Sequence, residues 1–521
     1  MSNRKPSNEK HRVRPRFSLA LSRKQERAGV RGACDLDASR WADPLIPILL
    51  PPAGEGLWRV AMLSIVTLTL AGCSALGPDY ARPQSSLPGA YTEAEKTEAQ
   101  AQVEREWWKL FKDPVLDDLV AKALGRNFDL QAAVARVEEA EAVMREAGAA
   151  LTPSVDLDAG ASRMRSSTVT GMPMPKYRSS HNLGLTTAFE LDFWGRLRRT
   201  KEAARAQALA SRHARDTVEL SLAGMVANSY LALRAFDAEL AVSRESLASR
   251  EATLKIVQSR VEAGLASPLE QRQAEGGLAA TRAQISTLRQ QRAITEHQLA
   301  LLVGTPELRI VAADLRRLPL PPIPPAGLPS SLLEARPDLR QAEEDLVANN
   351  ARIGVAKAAM YPAISLTGGL GAESRQLSNL LSSSARTWNL GAGLLLPIFD
   401  AGANEARVDQ ATARQKQSLA AYQKAIQTAF KEVNDALVGL RENAEGEAAQ
   451  DARVAAADQS LKLAQTRYEA GYSGFLEVLD AQRTLNDARL AHIATRQSRL
   501  TAAVDLFKAL GGGWKEVSAP H

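Results

Sequence analysis

The sequence is nearly without cysteine: 521 residues carry two, Cys34 and Cys73. Cys34 falls in a leader-like stretch, so no disulfide framework holds the chain together. Long hydrophobic runs are also missing. Nothing approaches the ~18 continuous apolar residues of a membrane-spanning helix, so any insertion beyond the leader must use strands. Histidine is sparse and scattered, at positions 11, 181, 213, 297, 492 and 521, with no metal-like spacing and no cysteine partner. Gly276-Gly277 and Gly511-Gly512-Gly513 lack the strand and lysine of a phosphate loop. No catalytic constellation is left, and no enzyme, metal or cofactor is expected.

An excess of positive charge is absent as well, once the leader is set aside. Residues 1–72 hold 12 Lys/Arg and 6 Asp/Glu; taking these from the chain's 65 and 59 leaves 53 of each. The net charge of +6 therefore lies in the leader, and a nucleic-acid partner loses its support.

What is present begins with a processing signal. Arg59 precedes the apolar run 60–70, then Ala71, Gly72 and Cys73. A short apolar core behind a positive charge and ahead of small residues reads as an export signal. Leu70-Ala71-Gly72-Cys73 also resembles a bacterial lipobox, in which Cys73 is acylated and becomes the mature N-terminus. Residues 1–55, Arg-rich and aperiodic, read as a misassigned start or an unusually long leader.

The rest of the chain says everything twice. Asp129-Leu130-Gln131-Ala132-Ala133 is echoed by Asp338-Leu339-Arg340-Gln341-Ala342, and Pro153-Ser154-Val155 by Pro362-Ala363-Ile364, both 209 residues on. Arg260-Val261-Glu262-Ala263-Gly264 returns as Arg467-Tyr468-Glu469-Ala470-Gly471, 207 residues on. Between the copies, Pro319-Leu320-Pro321-Pro322-Ile323-Pro324-Pro325 is a stiff extended connector.

Each copy reads as helix, two strands, long helix, returning helix. Val155, Leu157, Ala159 and Ala161 alternate with small or polar residues, and Leu183, Leu185, Phe189 and Leu191 do the same. Ile364, Leu366 and Leu370, then Trp388, Leu390, Ala392 and Leu394, repeat the theme. Such alternation suits a transmembrane barrel, and equally a half-buried soluble sheet. Four strands cannot close a barrel. In lipid the chain would have to oligomerise until the ring closes, with eight strands from two chains or twelve from three. Val226, Leu233, Leu240, Leu247, Leu254 and Val261 recur every seven residues, which means coiled-coil packing over a proline-free stretch of ~100 Å. Gly264 and Gly471 turn these helices into partners beginning at Pro268 and Phe475.

At this point the chain resembles the outer-membrane efflux family, in its OprM/NodT-type lipoprotein branch. The resemblance spans about Cys73 to Gly512. It is carried by Gly77-Pro78-Asp79-Tyr80, Trp107-Trp108, Phe111-Lys112-Asp113-Pro114, Leu328-Pro329-Ser330-Ser331-Leu332-Leu333 and Arg336-Pro337-Asp338-Leu339, together with the two tip motifs. It implies a mainly α fold with a small transmembrane β part: a homotrimer whose duplicated units build a twelve-stranded barrel continued by a long α-helical barrel. The implied role is the outer-membrane exit duct of a tripartite efflux pump. Its implied partners are a periplasmic adaptor, an inner-membrane pump of the RND type and outer-membrane lipid. The expected organisation is leader and signal over 1–72, a lipid-anchored segment over 73–113, and efflux repeats over 114–330 and 331–521.

Two groups of residues follow as site candidates. Gly264, Leu265, Ala266, Gly471 and Tyr472 lie at turns that serve as helix connections and, under the family resemblance, as an adaptor-docking surface. Glu270, Glu477 and Asp480 lie just past those turns. They form either an ordinary solvated face or, as the resemblance implies, an acidic closed end of the tunnel. The family's gate links a tyrosine, an acid and an arginine; Tyr468 and Glu270 match the first two, while Ser473 stands in the arginine position.

Overall fold

A computed structural model describes residues 75–84, 88, 91–93, 103–167, 169, 176–324 and 332–513, all within one compact unit, Thr67–His521. Cys73 lies outside the described residues.

The first copy runs α1 (Pro114–Arg126), α2 (Phe128–Ala149), β1 (Ser154–Arg165), β2 (Tyr177–Leu191), α3 (Arg196–Glu262) and α4 (Pro268–Val303). The second runs α5 (Pro337–Ala358), β3 (Ala363–Ser374), β4 (Arg386–Leu395), α6 (Ala403–Glu469) and α7 (Phe475–Ala509). The long helices α3 and α6 each contain 67 residues, about 100 Å at 1.5 Å per residue. Among the described residues no helix is long and apolar enough to cross a membrane.

The strands form one antiparallel sheet in the order β1-β2-β3-β4. Its register sorts side chains by polarity. Leu157 pairs with Leu185, Leu185 with Leu370 and Leu370 with Trp388, a continuous apolar row. The neighbouring row runs Asp156, Thr186, Gly369, Asn389 and lies on the opposite face. Among the described residues nothing covers the apolar face: Leu157 is 71% exposed, Trp388 80% and Leu390 82%. Among the described residues, strands β1 and β4 each leave one edge unpaired.

The helices pack as coiled-coil hairpins. Val226, Leu233 and Leu240 of the seven-residue repeat are buried, and Leu247, Leu254 and Val261 pack against further clusters toward the tip. The widest core gathers α1, the middle of α3 and the end of α7, where Trp107 stacks on Phe507 at 5.5 Å. Below it, the carboxylate of Asp237 accepts from Arg292 Nε at 2.6 Å and from the Ala313 amide at 3.2 Å, tying the segment after α4 to the helices.

The short and returning helices are spliced end to end. Asn127 caps α2 by accepting from the Asp129 and Leu130 amides, and its Nδ2 donates to the Leu302 carbonyl at the end of α4. The matching residue 209 positions on is Arg336, ahead of α5. Its guanidinium donates to the Ala509 carbonyl at the end of α7, and to Asp338 and Glu432. Both splice residues are buried, so each of the last-turn carbonyls they contact finds a donor inside the protein.

Candidate functional site

The far ends of the hairpins are built alike. At the end of α3 the Leu265 amide donates to the Arg260 carbonyl at 2.8 Å and the Gly264 amide to the Val261 carbonyl at 3.0 Å. The same pair recurs after α6, Tyr472 to Arg467 at 2.8 Å and Gly471 to Tyr468 at 3.0 Å. This pair of hydrogen bonds is the Schellman cap. It requires a left-handed residue, which Gly264 (φ 70°) and Gly471 (φ 79°) supply. Such caps usually fold the following apolar residue back onto the helix. Here Leu265 is 71% and Tyr472 80% exposed. Ala266, half-buried, completes the first turn, and the Ser267 hydroxyl caps α4 by accepting from the Leu269 amide.

Just inside the tips, four helices meet on a small core of Val257, Ala274, Ala464, Tyr468, Phe475 and Val478. Tyr468, on α6, reaches across to the other hairpin and donates its hydroxyl to Glu270 Oε2 on α4 at 3.1 Å. The guanidinium of Arg260, on α3, lies 4.5 Å from the centre of the Tyr468 ring, and its Nη1 donates to the Tyr468 carbonyl at 3.1 Å. One tyrosine thus joins α6 to both helices of the first hairpin. Burial raises its pKa above the ordinary 10.0, the Glu270 hydrogen bond and charge add to the rise, and Arg260 opposes it.

The other two carboxylates are placed differently. Glu477 and Asp480 are exposed on α7, each beside an arginine: Arg467 Nε lies 3.6 Å from Glu477, and Arg483 donates to Asp480 at 2.8 Å. The structure therefore brings Glu270 and Tyr468 into contact, while Glu477 and Asp480 pair with arginines instead. Arg260 was not among the sequence candidates. It supplies the cation that Ser473 cannot, from 208 residues away. Leu269 and Leu476, each 64% exposed beside the tips, were missed too; the 207-residue offset that relates Leu265 to Tyr472 also relates these two.

At the sheet end of the helices, the first described residues form a strap. The Leu76 amide donates to the Trp194 carbonyl at 3.0 Å, Asp79 pairs with the buried Arg199 at 2.6 Å, and Arg82 grips Glu343 through two hydrogen bonds. The strap lies close enough that a β-carbon on Gly354 would sit 2.5 Å from the Leu76 carbonyl oxygen. This anchors Ala75 beside Gly195, where β2 gives way to α3.

A duplicated fold of 67-residue helices joined to a two-faced sheet invites comparison with known proteins. The family model described as outer membrane efflux protein matches twice, over residues 119–305 and 328–512. The chain belongs to the outer membrane efflux protein family. It is 35% identical over 466 residues to the toluene efflux pump outer membrane protein TtgF of Pseudomonas putida, covering 87% of this chain and 97% of that one. It is 35% identical over 463 residues to the cation efflux system protein CusC of Escherichia coli, covering 87% and 98%. Among solved structures, the outer-membrane channel OprN superposes with a TM-score of 0.79 at 30% identity, over 84% of this chain and 99% of that one. This efflux protein is accordingly an outer-membrane channel: its sheet contributes to a membrane barrel and its helices form a tunnel into the periplasm. Its relatives are channel components and not enzymes.

Proposed function

We propose that three copies of this efflux protein close their sheets into a twelve-stranded barrel, continued by a helical tunnel gated at its periplasmic tips. The unpaired edges of β1 and β4 support closure through neighbouring chains, since each unpaired backbone group in lipid costs several kcal/mol. Eight strands from two chains would leave an interior filled by side chains; twelve leave a passage. Relatives named for toluene and for cations each match this chain over nearly their whole length, which favours a passive duct whose cargo is selected upstream. The adaptor docks on the tips through Gly264, Leu265, Ala266, Gly471 and Tyr472, with Leu269 and Leu476 widening the apolar patch. An inner-membrane pump of the RND type supplies the energy. Cys73 carries the lipid, two residues ahead of Ala75, which sits beside Gly195 where β2 gives way to α3.

The observation that carries the gate is the Glu270–Tyr468–Arg260 tie. Opening a tunnel end means separating hairpins, and this contact joins them where the helices end. Glu477 and Asp480 then add an exposed acidic ring, tempered by Arg467 and Arg483. Single-channel recording in planar bilayers tests the reading. Closed trimers that open when the tie is cut support it, whereas a protein that never conducts would belong to a periplasmic coiled-coil scaffold.

A further inference from the structure

The charges of the sheet are sorted by end. Residues 159–180 and 371–388, around the two hairpin ends, hold six basic residues and one acid, Glu373. The helix-proximal ends hold Asp156, Asp158, Glu190 and Asp192 instead. Since the long helices occupy the periplasm, the hairpin ends point to the cell exterior.

The register says which way the basic residues face. Arg386 is two residues before Trp388 on β4, and pairs with Ala372 in the row above Leu370 and Trp388, so it shares their apolar face. Arg163 and Arg165 continue the face of Leu157 and Ala159 on β1. Tyr177 pairs with Arg165, and the Arg163 guanidinium lies 5.7 Å from its ring centre. Glu373, the one acid nearby, accepts from Ser180 on the opposite face. Arg163, Arg165 and Arg386 are exposed. Going outward, the lipid-facing surface therefore passes from leucine through Trp388 to arginine and tyrosine.

We propose that this outer arginine girdle binds the phosphate groups of the outer leaflet's glycolipid, lipopolysaccharide. The inference rests on the barrel reading and goes beyond it. A membrane-facing sheet commonly carries an aromatic band where hydrocarbon gives way to headgroups. Arg386 stands directly above that band, and Arg163 and Arg165 follow four and six residues beyond the row of Arg386, where a lipid anchored by its acyl chains presents its headgroup phosphates and inner sugars. The guanidinium fork matches phosphate oxygens two at a time, more selectively than a point charge. Charges on the lipid-facing side cannot serve cargo in the lumen, and a bare cluster of cations at an apolar boundary is unfavourable without anionic partners. In a trimer the girdle is repeated three times around the rim.

The test uses the detergent-extracted full-length protein and fluorescently labelled rough lipopolysaccharide, read by anisotropy. Competitors are unlabelled lipopolysaccharide, the same lipid freed of its phosphates by phosphatase, and phosphatidylglycerol. The triple variant Arg163→Gln, Arg165→Gln, Arg386→Gln is expected to bind roughly a hundredfold more weakly, each arginine contributing about fivefold. The corresponding lysine variant keeps the charge but loses the fork, so its binding falls between those of the wild type and the glutamine variant, and the dephosphorylated lipid competes poorly. Single-channel conductance, governed by the lumen, stays at the wild-type level in both variants, which separates this inference from the duct itself. Undiminished binding by the glutamine variant overturns the proposal. So does competition by phosphatidylglycerol as effective as that by lipopolysaccharide, which would mark a surface indifferent to the headgroup. A single Arg386→Gln substitution repeats the test at smaller amplitude in a minimally altered protein.

Discussion

Replacing Tyr468 by phenylalanine removes one oxygen from the tip and little else. The ring stays in its pocket against Phe475, 5.7 Å away, and under the Arg260 guanidinium at 4.5 Å. What is lost is the hydroxyl's bond to Glu270 at 3.1 Å. A hydrogen bond to a charged group contributes about 1.5–3 kcal/mol, so each tie holds its hairpins together by roughly tenfold to a hundredfold in equilibrium constant. The threefold repetition makes a concerted opening more sensitive still. In single-channel recordings the Tyr468→Phe channel should spend at least about tenfold more time open than the wild type. Glu270→Ala should match it, because it deletes the same bond from the other side. Combining the two should add little, as expected for two halves of one contact. Arg260→Met acts on the ring and the carbonyl instead, and should add to either. Channels of both single variants with wild-type open times, in intact trimers, would refute the tie as a gate and leave it as tip packing.

Other consequences are open to simpler assays. Changing Leu265, Leu269, Tyr472 and Leu476 to serine should abolish copurification with the adaptor without altering conductance, since all four are exposed. Gly354→Ala should loosen the strap, because the new methyl carbon meets the Leu76 carbonyl at 2.5 Å; protease cleavage near residues 75–84 should speed up, and thermal stability should fall by about 1–3 kcal/mol. Tyr468 has a raised pKa, so the stability it lends is full below the ordinary tyrosine pKa of 10.0 and is lost only as pH rises through the higher folded value; the tyrosinate absorbance missing from Tyr468→Phe should therefore appear above pH 10. Intact-mass analysis of the mature protein should find an acylated Cys73 at the N-terminus; a free thiol within a longer chain would contradict the anchor.

Much of this architecture was legible because its signals are local. Ser267 and Pro268 announce the start of α4, as glycine at 264 announces the end of α3, and these boundaries need no tertiary information. The strands showed by their period of two, yet β1 runs on to Arg165 and β2 begins at Tyr177, beyond the apolar alternation. Backbone pairing continues past the hydrophobic band, where polarity no longer marks a face. The parts that sequence could not supply are contacts between distant segments. Arg260 meets Tyr468 only because two hairpins converge, and Arg336 reaches Ala509 only because α5 stacks on α7. Ser473 in the arginine position looked like a missing lock, but a guanidinium reaches Tyr468 from the other hairpin.

The mass of the detergent-extracted protein, measured by light scattering with the detergent contribution subtracted, tests the central claim most directly. A chain with four membrane strands and two unpaired edges should be found as three copies, with no stable smaller species. A stable monomer would contradict the barrel, and with it the duct.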